Sequence, residues 1–373
     1  MSKKPLPKLI VAASDHDADI LYATGLFVPD PFIFLEQNGR TTAVLSDLEI
    51  DRGRKEARVD EIVALSEVAK LCSKGKDSTF VEHVIAFLQS RRVRRAAVPG
   101  SFPLGLAKNL EKAGIALLPQ PGLFWKEREF KTSAELKVIA QALRITEAGM
   151  ARGIEVLRAA EIGPKKALRW GGKALTSEIL RAEIDSATLR AGGTPANTIV
   201  AGGAQACDPH ERGRGPLRAD ELIILDIFPR AAQSGYFGDM TRTVVRGRAS
   251  EAQRRLWQTC LDGQKKALRE IKPGGIGKAM QDGVREFFTQ HGYPTEQREG
   301  RWTGFFHGLG HGLGLEIHES PRIATTTFRP GQVVTVEPGL YVPGIGGVRH
   351  EDVITITATG SRLLSRFPKP LEI

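Results

Sequence analysis

The chain has 373 residues, of which 41% are hydrophobic and 26% charged, with a formal net charge of +10 and three cysteines. That length exceeds the usual range of a single core, and the odd, widely spaced set Cys72, Cys207 and Cys260 excludes a disulfide framework or a cysteine-based metal site. No apolar run reaches the roughly 18 residues of a spanning helix, and the stretch of about five apolar residues after Pro7 is too short for a secretory core, so a cytoplasmic protein without membrane association is expected.

From the N-terminus, short apolar strands such as Leu9–Ala12 and Ala43–Leu45 alternate with helical stretches such as Val81–Leu88, the pattern of an α/β layer over residues 1–125. None of it carries a catalytic constellation. The densest basic clusters, Arg52/Arg54/Lys55/Arg58 and Arg91/Arg92/Arg94/Arg95, lie in this part. A basic chain raises the possibility of nucleic-acid binding, but no aromatic residues interleave these arginines, and solvated faces are expected instead of a nucleic-acid partner.

Turn formers around Pro119–Lys126 mark a boundary, so a second domain is expected over residues 126–373. Thr132 and Glu135 are spaced as a capping box, and Leu136, Ile139, Leu143, Met150, Ile154 and Leu157 then form one apolar stripe, which predicts a long helix packed on a core. A second helix is predicted over Ser177–Leu189, with Gly192-Gly193 as its stop.

Glu221–Leu225 and Val333–Val336 read as buried strands, and each runs into an acid, Asp226 and Glu337. A buried charge needs a partner. The two segments, Arg218–Asp226 and Arg329–Glu337, superpose at a constant shift of 111 residues, and each is followed by a second acid, Asp239 or Glu351. A duplicated unit whose halves face one another across a shared site would produce this arrangement. Between the halves, Phe306–Glu319 holds His307, His311 and His318, with glycines at 308, 310, 312 and 314 that are expected to let the backbone turn tightly. Four carboxylates and one imidazole in the order Asp226, Asp239, His311, Glu337, Glu351 suit a pair of divalent cations, because two cations need roughly eight to twelve donor positions and a carboxylate can chelate one or bridge both. His16, His83 and His291 stand alone and are read as ordinary packing or surface residues, and His350 should point away from its neighbours Arg349 and Glu351.

His307-Gly-Leu-Gly-His311 with Gly314-Leu-Glu-Ile-His318-Glu319 resembles the HGxGHxxGLxxHE signature of metallopeptidases with the creatinase, or pita-bread, fold, in particular the Xaa-Pro aminopeptidase and prolidase branch. Asp226, Gly238–Thr243, Val336–Gly339 and Gly347–Asp352 match in the family's order. The resemblance implies an α+β pita-bread catalytic domain with pseudo-twofold duplicated halves, behind an α/β N-terminal domain that lacks the metals and helps close the cleft. It implies Asp226 chelating one metal, His311 and Glu337 binding the other, and Asp239 and Glu351 bridging. A metal-bridging hydroxide would attack, with Glu337 as proton shuttle, His318 and His210 as imidazolium donors to the oxyanion, and His307 and Arg349 on the proline side of the pocket. Two divalent ions, Mn²⁺ first and Co²⁺ or Zn²⁺ as alternatives, a proline-containing peptide substrate and a homodimer complete the expectation. The alternative is a non-peptidase homologue, either a creatinase-type amidinohydrolase or a basic binding protein. The step from Asp226 to Asp239 is thirteen positions where the family has eleven, and the extra length falls in Pro229–Gly235, which reads as a hairpin turn.

Overall fold

Alternation along the first strands decides how the N-terminal part is layered. The computed structural model describes residues 5–73 and 75–373, in two compact units, Met1–Arg128 and Glu129–Ile373. In the first unit, β1 (Lys8–Ala12), β2 (Phe32–Gln37), β3 (Arg40–Leu45), β4 (Glu61–Ala64), β5 (Arg95–Pro99) and β6 (Ala116–Gln120) form one mixed sheet in the order β4-β3-β2-β1-β5-β6. Leu9, Val11, Ile33, Leu35 and Val44 face one side, where Val84, Phe87, Leu88, Leu106 and Leu110 meet them. Ile10, Phe32, Phe34, Ala43 and Leu45 face the other and pack with Ile20, Leu26, Ile50, Phe124 and Trp125. Neighbouring residues on a strand point to opposite faces, so strands of nearly continuous apolar residues are buried on both, as the α/β expectation required. The helices are α1 (Ala18–Thr24), α2 (Ile50–Glu56), α3 (Leu65–Ala69), α4 (Phe80–Ser90) and α5 (Leu104–Lys112).

The second unit opens with α6 (Ser133–Ala159), where both hydrogen bonds of the Thr132/Glu135 capping box form. Such a cap contributes about 1 kcal/mol, and the stripe Ile139, Leu143, Met150, Ile154 and Leu157 is buried. With α7 (Ser177–Arg190), α6 covers a three-stranded antiparallel sheet of β7 (Ile199–Gly202), β8 (Leu222–Ile227) and β9 (Met240–Val245), β8 in the middle. The second half repeats the plan. There, α8 (Glu251–Glu270) and α9 (Gly277–Gln290) cover a sheet ordered β11-β10-β12-β15-β16, built from β10 (His311–Gly312), β11 (Glu319–Arg322), β12 (Val333–Val336), β15 (Asp352–Ile356) and β16 (Ser361–Leu363), again antiparallel with β12 central. Before β15, β13 (Gly339–Val342) and β14 (Gly346–Arg349) form a hairpin. Both central strands, 111 residues apart in sequence, carry their acids at the same end, one before the end of β8 and one just past β12.

The segment Pro229–Gly235 is more than a turn. Arg230–Ala231 pairs antiparallel with Gly193–Thr194, and Ala231 and Tyr236 close the tight turn between them. The Tyr236 hydroxyl then donates to Glu135 at 2.8 Å, which anchors the lengthened connection to the first turn of α6.

Candidate metal centre

The two duplicated halves meet where their acids do. Asp226 on β8 lies opposite Thr241 on β9, Asp239 directly precedes β9, Glu337 follows β12 and Glu351 precedes β15. His311 comes from the short β10 beside β12. All but Glu337 are buried. Ligand atoms of Asp239, His311 and Glu351 lie within 4.8 Å of one another. His311 Nε2 stands 3.2 Å from Glu337 Oε1 and 3.8 Å from Asp239 Oδ2. Asp226 keeps one oxygen, Oδ2, on Arg349 Nη2 at 2.7 Å, while its buried Oδ1 has no hydrogen-bond partner.

Close approach, and not left-handed backbone, explains the glycine run. None of Gly308, Gly310, Gly312 and Gly314 has a positive φ, contrary to the tight turn expected of them. A Cβ on Gly310 would stand 2.1 Å from the Thr335 carbonyl oxygen, and one on Gly312 2.4 Å from that of Ser320. The missing side chains let the His311 segment lie close against both β12 and β11.

Electrostatically the cluster is out of balance. Burial, then the charges of Glu351, Asp226 and Glu337, push the Asp239 carboxyl well above the usual carboxylate range. Burial and the charges of Glu337 and Asp226 do the same to Glu351, against the hydrogen bond from Thr241 and the charge of Arg349. Glu337 moves the other way, because the hydrogen bond and charge of His311, with His307 and Arg349, outweigh its burial and hold it at about 2. Crowded buried carboxylates with an orphan oxygen are what a cation would neutralise, and hard oxygen donors with one imidazole match a divalent ion. The residues present fit such an ion.

Around this centre, His307 Nε2 and Arg349 Nη1 both reach the Tyr341 hydroxyl, at 2.9 and 2.8 Å. Arg349 is 3% exposed; burial opposes its charge, but Tyr341, Asp226 and Glu337 hold its pKa well above the ordinary value. The exposed His318 ring stands edge-on to His311, centroids 4.3 Å apart. Partial burial, then the charges of His311 and Arg322, lower it to about 4, and burial takes His307 to about 4 as well. Both are therefore neutral imidazoles at pH 7; for His318 the sequence reading expected an imidazolium. His210 is exposed, near enough for its charge to bear on both. His350 is fully buried with its ring edge-on to Trp257, centroids 4.8 Å apart.

Several residues of the site escaped the sequence reading. Thr241 Oγ1 donates to Glu351 Oε2 at 2.8 Å. Thr335 Oγ1 accepts from the His311 N–H at 3.1 Å and donates to Glu337 Oε1 at 3.3 Å. Each threonine stands two positions from a candidate ligand, on the same strand face, which is the signal that could have found them. The pair Lys131–Glu319, 2.5 Å apart with both side chains 1% exposed, had no such signal, being 188 positions apart. Glu319 Oε2 also accepts from the Glu316 N–H at 3.2 Å and so braces the loop that carries His318.

Residues 137–358 match the family described as Metallopeptidase family M24. The chain belongs to that family. It is 32% identical over 286 residues, three quarters (75%) of each chain, to a protein of Pyrococcus horikoshii named Xaa-Pro dipeptidase. Its fold matches that of the Xaa-Pro dipeptidase from Bacillus anthracis with a TM-score of 0.82 and 25% identity, over 98% of this chain and 95% of that one. The X-Pro aminopeptidase from Thermotoga maritima gives the same TM-score, 0.82, at 23% identity over 98% and 97%, a likeness of fold alone. The family member described here is thus a peptidase of the pita-bread fold that uses divalent metal. Among the described residues no helix is long and apolar enough to cross a membrane.

Proposed function

We propose that this metallopeptidase hydrolyses the bond between any residue and proline, in dipeptides or at the N-terminus of longer peptides, with two divalent cations. The observation that carries the reading is the unbalanced buried cluster itself: Asp239, Glu351 and His311 within 4.8 Å, and Asp226 Oδ1 without a partner. Asp226 would chelate one ion, His311 and Glu337 the other, and Asp239 and Glu351 would bridge. When bound, two such ions supply Lewis acidity, which brings the pKa of water from 15.7 toward about 7 and polarises a carbonyl.

The chain's own residues would do the rest. Glu337, ionised because His311 holds it at about 2, takes the proton of the attacking water and hands it to the leaving proline nitrogen. His318 and His210 donate to the oxyanion as it develops, His318 as a neutral N–H. Arg349 fixes Asp226 and, with His307, holds the Tyr341 hydroxyl against the proline side. The reading includes Mn²⁺ as the working ion, suited to oxygen-rich donors, and a cytoplasmic homodimer. The alternative of a basic binding protein draws no support from a site that keeps all five ligand-type residues.

The test is hydrolysis of an Xaa-Pro dipeptide and of the same residues extended as Xaa-Pro-Yaa-Yaa, by metal-stripped protein reloaded with Mn²⁺, Co²⁺ or Zn²⁺. Metal-dependent cleavage of either supports the proposal, and the preferred length separates a dipeptidase from an aminopeptidase. Metal binding with silence on both substrates would sink the Xaa-Pro assignment. In the same assay Glu337→Gln should lose about 10²–10⁴-fold in kcat while staying folded; near wild-type turnover would remove its role as shuttle.

A further inference from the structure

The largest fully buried side chain among the described residues is Arg242, 1% exposed. Its donors have a definite distribution. Nη1 gives hydrogen bonds to the carbonyl oxygens of Thr241 at 2.9 Å and of Glu351 at 2.6 Å. Nη2 reaches Asp352 Oδ1 at 2.8 Å and the Phe367 carbonyl at 2.9 Å, and Nε the Pro368 carbonyl at 3.2 Å. One guanidinium therefore joins three segments: the start of β9, the Glu351-Asp352 step into β15, and the chain after β16.

That last stretch is strapped over both halves. Leu364 N–H donates to the Val353 carbonyl, Val245 N–H to that of Leu371, and Ile373 N–H to that of Val245. Asp352 gathers the strap from its other side, accepting from Ser365 Oγ at 3.1 Å, from Lys369 Nζ at 2.5 Å and from Gln264 Nε2 at 3.3 Å. At the focus of this network the two halves bond directly beside the metal-type acids. There the Glu351 N–H donates to the Thr241 carbonyl at 3.1 Å, and Thr241 Oγ1 holds the Glu351 carboxylate.

We propose that Arg242, Asp352 and Lys369 form a positioning unit through which the C-terminal segment 365–369 holds Glu351 in place to bridge divalent metal. The proposal rests on the ligand assignment made above. Its physical basis is that Glu351 reaches the site from a backbone whose carbonyl Arg242 grips, so a slackened grip moves the carboxylate. Partners one step removed from a ligand commonly change metal affinity by about 10–100-fold. Arg242 and Lys369 are positioning residues: neither touches the cluster atoms.

The experiment is calorimetric titration of metal-stripped full-length protein with Mn²⁺, paired with the electron-spin signature of exchange-coupled Mn²⁺ and with kcat and KM at saturating Mn²⁺. Arg242→Lys, which keeps the charge but loses the five-donor fork, and Lys369→Met, at a side chain 21% exposed, should each weaken Mn²⁺ binding by about 10–100-fold and diminish the coupled signal. KM should stay unchanged and kcat should recover when Mn²⁺ saturates; Lys369→Arg should restore affinity. Should Arg242→Lys fail to fold, Lys369→Met and its Lys369→Arg rescue decide. Folded variants that bind Mn²⁺ as tightly as wild type would overturn the proposal while leaving the ligand assignment intact. Wild-type protein that takes up no Mn²⁺ would overturn the assignment, and this inference with it.

Discussion

Two groups of buried charge meet at the steps Thr241-Arg242 and Glu351-Asp352, and they are built on opposite principles. Arg242 and Lys369 bracket Asp352, and Ser365 and Gln264 complete the carboxylate's hydrogen bonds. The Asp226–Asp239–His311–Glu337–Glu351 group instead crowds four acids round one imidazole and one guanidinium and leaves an oxygen orphaned. A buried carboxylate surrounded by cations and hydrogen-bond donors locks a structure; surplus buried carboxylate is tolerated where something else will neutralise it. Function can be read from the imbalance.

The same substitution should then have opposite signs at the two places. Asp352→Asn leaves Arg242 and Lys369 without their anion and is expected to destabilise the protein by about 3–5 kcal/mol, measured as a lowered midpoint in urea. Asp239→Asn removes one of the mutually repelling carboxylates and is expected to raise the Tm of metal-free protein at neutral pH by roughly 2–4 °C, the effect of about 1 kcal/mol in a domain of this size, while abolishing metal-dependent turnover. If both substitutions destabilise equally, the distinction between the clusters is wrong.

A smaller effect follows from pH. Asp239 and Glu351 have carboxyls raised above their unfolded values, so the folded, metal-free protein holds protons that the unfolded chain releases near pH 4. Their stabilising share is complete below that pH and is lost as the pH rises through the raised values. Thermal melts in chelator should accordingly lose stability from these groups as pH rises above about 4, and saturating Mn²⁺ should restore it most at the upper end. A melt in which Mn²⁺ protects equally at every pH would break the link. Smallest of all, Lys278→Ala, which removes the exposed 2.5 Å pair with Asp282 on α9, should shift stability by no more than about 0.5 kcal/mol; a larger loss would show that exposure is not what separates these pairs.

Much of this is legible in the sequence. The capping box at Thr132, the stripe of α6, the strand-end acids and the 111-residue shift all follow from periodicity and spacing over short windows, because helix caps and strand alternation are local physics. The extra length at Pro229–Gly235 was visible too, although its pairing with Gly193–Thr194 was not, since that register joins segments some 36 positions apart. The glycine run was noticed for the wrong reason: nothing in its sequence says that the Thr335 and Ser320 carbonyls come within reach of the missing side chains.

By itself, then, the sequence determined the residue types of the centre, the order in which they arrive and the strands that lead into two of them, because ligand chemistry and strand periodicity are written residue by residue. Only the tertiary structure decided which groups balance one another. Whether Asp226 keeps a free oxygen and whether Arg242 grips Glu351 from behind depend on partners more than 100 positions away, and whether His318 is neutral depends first on burial. Electrostatic energies inside a protein are set by distance and desolvation, and neither exists until the chain has folded.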